Sequence, residues 1–170
     1  LDVRADDLAP AQIRRIRWTP IWKPQLRRLE RLLSRERGRF DVDAILGAYA
    51  AFYATGVNRA PMRSVALIFE KMLAGTLVSS AASAAMLELM RGARTSQNRL
   101  LGELPPDLEV AHKTGSQYLH FCDLGIVFLS GRAEPLIITM CTEDGPLEPS
   151  EALMARVARR AFELAREARR

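Results

Sequence analysis

The sequence predicts an α+β fold: helices first, then a three-strand antiparallel meander, then a C-terminal helix. Three observations carry that reading. Apolar residues recur at helical spacing in successive segments before residue 92. After Pro105-Pro106 the period becomes extended, in three runs rich in Val, Ile, Leu and Thr. From Pro149 a helical period returns and continues almost to Arg170.

Residues 1–23 show no sustained period and read as an irregular arm. Pro24 suits the first position of a helix in which Leu26, Leu29, Leu32 and Leu33 form the apolar face. Arg27, Arg28, Arg31 and Arg35 fill its other face, and Gly38 ends it. Asp41 to Ala54 reads as a second, more buried helix, followed by a loop over residues 55–58. Pro61 opens a clear helix, Met62 to Leu73, with Val65, Ile68, Phe69 and Met72 on one face and Gly75 as its stop. Ser79 or Ser80 is placed to cap Ala81 to Met90, whose Met86, Leu87, Leu89 and Met90 are expected in the core. Leu108 to Lys113, Phe121 to Leu129 and Pro135 to Cys141 read as strands, with Ser130-Gly131-Arg132 turning the chain between the last two. Ser150 to Arg169 is the final helix, with Leu153, Val157, Phe162 and Leu164 as its apolar members.

Pairing arithmetic fixes a register. If Ser130 to Ala133 form the hairpin turn, Leu129 faces Glu134, and the residue numbers of every pair sum to 263. Cys122 and Cys141 satisfy the same sum and are therefore expected opposite one another. Their Cα atoms would lie about 4.5 to 5.5 Å apart, within reach of a disulfide in an exported protein.

Composition narrows the classes of function. At 48% hydrophobic and 26% charged, the 170-residue chain matches an ordinary globular domain rather than a disordered one. No apolar run approaches the roughly 20 residues that a membrane-crossing helix needs. The start at Leu1, without a basic and apolar leader, implies a mature product or a piece of something longer. The net charge of +5 invites a nucleic-acid reading. However, 22 of the 25 basic residues are Arg, a bias that a GC-rich genome explains, and residues 1–50 alone carry +4 of the surplus. Nucleic acid is therefore disfavoured as a partner. Two cysteines do not make a disulfide scaffold, and His112 and His120 lack the spacing of a zinc site, so no metal and no cofactor are expected.

The chemistry centres on His112-Lys113-Thr114-Gly115-Ser116, placed at the end of the first strand. Three such common residues as Lys-Thr-Gly recur by chance, but the context adds to them. Asp123-Leu124-Gly125-Ile126-Val127 lies on the next strand, a helix–Gly-Thr-Leu-Val-Ser–helix unit precedes the triplet, and a long helix ends the chain. That arrangement resembles the C-terminal part of the class A β-lactamase and penicillin-recognising serine hydrolase family. The resemblance covers about residues 58 to 169, with Asn58-Arg59-Ala60-Pro61-Met62 matching the entry to the helix after the family's omega loop. It divides the chain into a basic arm with helices, residues 1–57, and a β-lactamase-like portion, residues 58–170.

The resemblance implies a β-lactam or acyl-D-Ala type substrate and an acyl-enzyme formed on a serine. Lys113 would be the catalytic cation, raising the local positive potential and favouring deprotonated neighbours. Thr114, Gly115 and Ser116 would bind substrate. The Thr114 hydroxyl donates to a substrate carboxylate, side-chain-free Gly115 lets the substrate pair with the strand edge, and the Ser116 amide supplies an oxyanion-hole donor. Losing such a donor typically costs about 3 kcal/mol of transition-state stabilisation. The family's export implies a periplasmic or extracellular location.

The departures are as informative. No Ser is followed by Lys three positions later, so the family's Ser-x-x-Lys nucleophile motif is missing. Ser96-Gln97-Asn98 has the letters of the family's Ser-x-Asn motif but lies too near the Lys-Thr-Gly strand, and is read as a loop coincidence. The position expected for the deacylating Glu is Ala44, beside Asp43. His112 and His120 read as structural, without a Ser-Asp partnership. The chain thus carries one wall of a hydrolase site. The rival readings are a non-catalytic β-lactamase-like binding domain and an Arg-rich surface on residues 1–40 for nucleic acid or membrane. The expected partners are a small substrate, and either the missing N-terminal portion or further copies of the chain.

Overall fold

The computed structural model describes residues 42–168, apart from 58, 118, 130, 132 and 133. The expected arm over residues 1–23 and helix over 24–38 lie outside the described residues. The chain divides into two units, Leu1–Arg59 and Ala60–Arg170.

In the first unit the described element is α1 (Val42–Ala54). Its C-terminal half is not the buried helix that its composition suggests, since Phe52 is 41% exposed. Thr55 closes it, donating from Oγ1 to the Phe52 carbonyl at 2.6 Å.

The second unit opens with α2 (Met62–Leu73) and α3 (Ser80–Arg91). Pro61 immediately precedes α2, where its missing N–H and fixed φ of −59° cost the helix nothing. Gly75 takes φ +70° beyond its end. The Gly75 amide then donates to the Met72 carbonyl and the Thr76 amide to the Lys71 carbonyl, satisfying two carbonyls that the helix leaves unpaired. Ser79 is the residue that caps α3, its Oγ accepting from the Ala82 amide at 3.1 Å.

Three strands follow in the order β1-β2-β3: β1 (Glu109–Gln117), β2 (His120–Phe128) and β3 (Leu136–Thr142). Both pairings are antiparallel. The β2–β3 register runs from Phe121 opposite Thr142 to Val127 opposite Leu136, and places Cys122 opposite Cys141 as the arithmetic requires. The two are joined as a disulfide, with Cα atoms 4.1 Å apart, slightly closer than expected. Gly131, at φ +72°, lies in the turn.

Helices cover both faces of this sheet. Val110, Val127 and Ile138 form one core with Leu100, Leu104, and Ala158 and Phe162 of the last helix, α4 (Leu147–Glu167). On the opposite face Ile126 packs with Phe69 and Met72 of α2, supported by Met86, Leu87 and Met90 of α3. Burying a side chain such as Ile126 or Phe69 stabilises by about 1.5–3 kcal/mol. Thr139 Oγ1 donates to the Met62 carbonyl at 3.2 Å and ties β3 to the start of α2.

Several faces differ from the sequence reading. Leu89 is 77% exposed and Ile68 is 44% exposed, so neither belongs to the core expected of it. In α4 the buried apolar residues are Met154, Ala155, Ala158 and Phe162, whereas Leu153, Val157 and Leu164 face outward. The alanines let the helix axis approach the sheet, where larger side chains would hold it off. α4 also begins three residues earlier than expected, after Pro146, because Pro149 is tolerated within a first turn whose amides lack helical partners.

Candidate functional site

The triplet lies inside β1 rather than at its end, because the strand continues to Gln117. Gly115, Ser116 and Gln117 pair with Cys122, Phe121 and His120, and this pairing keeps three residues of modest β propensity extended. β1 is an edge strand of the described sheet, with no strand on its outer side among the described residues.

Side chains alternate across the strand. Val110 belongs to the core under α4, which places His112, Thr114 and Ser116 on that face. Lys113 and Gly115 lie on the other, with Leu124 and Cys122 as their cross-strand neighbours. Lys113 is exposed, and its Nζ donates to the Thr114 carbonyl. The four residues singled out from sequence are therefore contiguous along one edge, with Lys113 on the opposite face from the Thr114 and Ser116 hydroxyls.

Arg99 organises the other side of that edge. The turn over residues 94–104 carries its guanidinium beneath β1, where the residue is 1% exposed. Nη1 donates to the carbonyls of Gly115 at 3.0 Å and Cys122 at 3.1 Å. Nη2 donates to Ser116 Oγ at 2.7 Å, and Nε donates to Glu151 Oε1 of α4 at 3.0 Å. Asn98 Nδ2 donates to the second Glu151 oxygen. A buried arginine is tolerated only when paired and fully hydrogen-bonded, and here one carboxylate and three strand oxygens meet that condition. The phenyl ring of Phe121 lies 5.5 Å from the guanidinium carbon.

Two further contacts brace the same strand. The Thr95 and Thr114 hydroxyls meet at 2.7 Å. Within the sheet His112 Nδ1 lies 3.0 Å from Asp123 Oδ1, and Asp123 Oδ2 accepts from the Leu100 amide at 3.1 Å. Gly125 makes room for this pair, since a Cβ there would stand 2.9 Å from His112 Cβ and 3.1 Å from Leu100 Cδ1. His112 thus has a carboxylate partner that the sequence reading did not assign.

Sequence reasoning missed Arg99, Glu151, Asp123 and Thr95. Arg99 was one arginine among 22, next to the Ser96-Gln97-Asn98 segment set aside as a loop. The available signal was its place between a helix and an extended run, beside the turn former Asn98. Asn98 has a structural part here through Glu151.

A model of the β-lactamase enzyme family matches residues 27–165. The chain belongs to the β-lactamase enzyme family. A β-lactamase from Chitinophaga pinensis has 30% identity and a TM-score of 0.54, over 59% of this chain and 40% of that one. One from Xanthomonas campestris pv. campestris has 25% identity and a TM-score of 0.56, over 61% and 40%. A variant of the class A β-lactamase of the last common ancestor of Gram-negative bacteria has 25% identity and a TM-score of 0.55, over 60% and 39%. Among curated proteins none matches. This β-lactamase-family chain spans about two fifths of the length of those structures. Its meander and flanking helices have the architecture of the C-terminal part of the class A β-lactamase fold. No helix among the described residues is long and apolar enough to cross a membrane.

Proposed function

We propose that the chain supplies the Lys-Thr-Gly wall of a β-lactamase-like serine hydrolase that acts on a β-lactam or an acyl-D-Ala type peptide. The observation that carries the reading is the edge position of β1. There Lys113 is exposed, and a buried guanidinium fixes Gly115 and Ser116 from behind.

In this reading a serine carried by a completing segment attacks the substrate carbonyl. The tetrahedral oxyanion accepts from the Ser116 amide, a donor held in place before the reaction begins. Thr114 Oγ1, oriented by Thr95, donates to the substrate carboxylate. The Lys113 ammonium adds positive potential on the side where the nucleophile would lie. Gly115 keeps the strand edge clear for the substrate backbone. No Ser in the chain is followed by Lys three positions later and no Glu stands at position 44, so neither nucleophile nor deacylating base is assigned to these residues. The missing Ser-x-x-Lys also motivates the second reading, a binding domain that retains the wall without the catalysis. The location proposed is periplasmic or extracellular.

A chromogenic cephalosporin separates these readings. The chain alone should leave it intact, and the chain mixed with an N-terminal class A portion bearing Ser-x-x-Lys should hydrolyse it. Lys113→Ala in the mixture should lower the rate by about 100-fold or more, the scale of losing one charge-stabilising group. No hydrolysis by the mixture, with β-lactam binding retained, would favour the non-catalytic domain. Full activity of the Lys113→Ala mixture would remove Lys113 from the site.

A further inference from the structure

We propose that the Cys122–Cys141 disulfide is a redox-operated clamp on the sheet end that carries Gly115 and Ser116. Its place in the hairpin is the first reason. The turn around Gly131 closes one end of β2–β3, and the bond closes the other, with a single pair, Phe121 opposite Thr142, beyond it. Among the described residues β3 has no strand on its outer side, so within the sheet its last residues are held by β2 and by this bond.

The second reason is proximity to the wall. Cys122 is the cross-strand partner of Gly115, and a Cβ built on Gly115 would stand 3.8 Å from that of Cys122. The third is a shared anchor. Arg99 Nη1 bridges the Gly115 and Cys122 carbonyls at 3.0 and 3.1 Å, while Nη2 holds Ser116 Oγ at 2.7 Å. A displacement of Cys122 therefore reaches Gly115 and Ser116 through one guanidinium. Both cysteine residues are partly exposed, and the clamp requires a reductant to reach the bond in the folded chain.

The reductant is a dithiol, either a small molecule or a dithiol protein. One of its thiolates attacks a cysteine sulfur, the S–S bond breaks, and a mixed disulfide forms. Its second thiol resolves that intermediate, closing the reductant's own disulfide. Two electrons and two protons pass to the protein, leaving Cys122 and Cys141 as thiols. The oxidised chain holds the sheet end in register; the reduced chain opens it locally, as a low-stability unit frays without global unfolding. What the clamp regulates rests on the reading of β1 as a substrate wall, whereas the clamp itself does not.

Amide hydrogen exchange on the full chain tests it, with and without dithiothreitol. On reduction, the amides of Gly115, Gln117 and Phe121–Asp123 should lose at least about tenfold more protection than those of Ile126, Val127 and α4. The double variant Cys122→Ser/Cys141→Ser should show the reduced pattern in both buffers. Equal loss at every amide, or no loss near Gly115, would overturn the clamp. If the double variant does not fold, reoxidation of the reduced wild-type chain by oxidised glutathione should restore slow exchange, and failure to do so would count against it. Cephalosporin hydrolysis by the completed mixture is the second arm. Differential exchange with hydrolysis lost on reduction supports both proposals. Differential exchange with no hydrolysis in either redox state supports the clamp and contradicts the hydrolase reading.

Discussion

Arg99 shows how much of the site depends on one side chain. Its removal leaves the buried Glu151 carboxylate without its cation, and the Gly115 and Cys122 carbonyls without a donor. Breaking a buried ion pair from one side costs about 3–5 kcal/mol, so Arg99→Ala should lower the unfolding free energy by that amount in a urea titration. A loss under about 1 kcal/mol, the range of exposed pairs, would mean that the guanidinium is solvated. Gly125 makes a second residue-scale case. A methyl there meets His112 Cβ at 2.9 Å and the Ala111 carbonyl oxygen at 3.0 Å, neither of which is the free end of a flexible chain. Gly125→Ala should therefore destabilise by about 1–3 kcal/mol, the usual cost of overpacking. The same titration measures it, and an unchanged midpoint would contradict the close approach. Neither residue announces itself in the sequence. A buried arginine is written like a surface one, and Gly125 reads as one weak position in an apolar run.

At the scale of elements, the sequence made the existence of helices and strands legible, along with the hairpin register, but not which side of α4 faces the sheet. Leu153, Val157 and Leu164 recur at helical spacing, and so do Met154, Ala155, Ala158 and Phe162. Bulk favours the first set as core, while close approach to a sheet favours the second. Hence Ala158→Leu, at a site with 0% exposure, should cost about 1–3 kcal/mol by overpacking. Val157→Gln, at a site 47% exposed, should change stability by no more than about 0.5 kcal/mol. Thermal unfolding of the two variants distinguishes the faces, and the reverse order of losses would restore the sequence reading. β1 was foreshortened for a related reason. Gly115, Ser116 and Gln117 carry little strand propensity of their own, and their extended form is imposed by β2 and by Arg99.

For the whole molecule, the family was legible because Lys-Thr-Gly, the meander and the closing helix stand in the family's order. The bracing of the wall was not, since Arg99 meets Glu151, and Asp123 meets His112, only in three dimensions. The described fold leaves Leu67, Ile68, Val78 and Leu89 exposed, and the outer edge of β3 has no partner among the described residues. Unpaired edges and apolar surface favour association. The chain should sediment with a weight that rises with concentration, and a completing N-terminal portion should suppress that rise. A concentration-independent monomer would contradict it.

The central claim is that this chain provides a wall of a hydrolase site, with the nucleophile elsewhere, and intact mass after penicillin treatment tests it most directly. The account predicts an unmodified mass for the 170-residue chain alone. With the completing portion present, it predicts a penicilloyl adduct on that portion's serine. A covalent adduct on this chain alone would contradict the account and make one of its own serines the nucleophile.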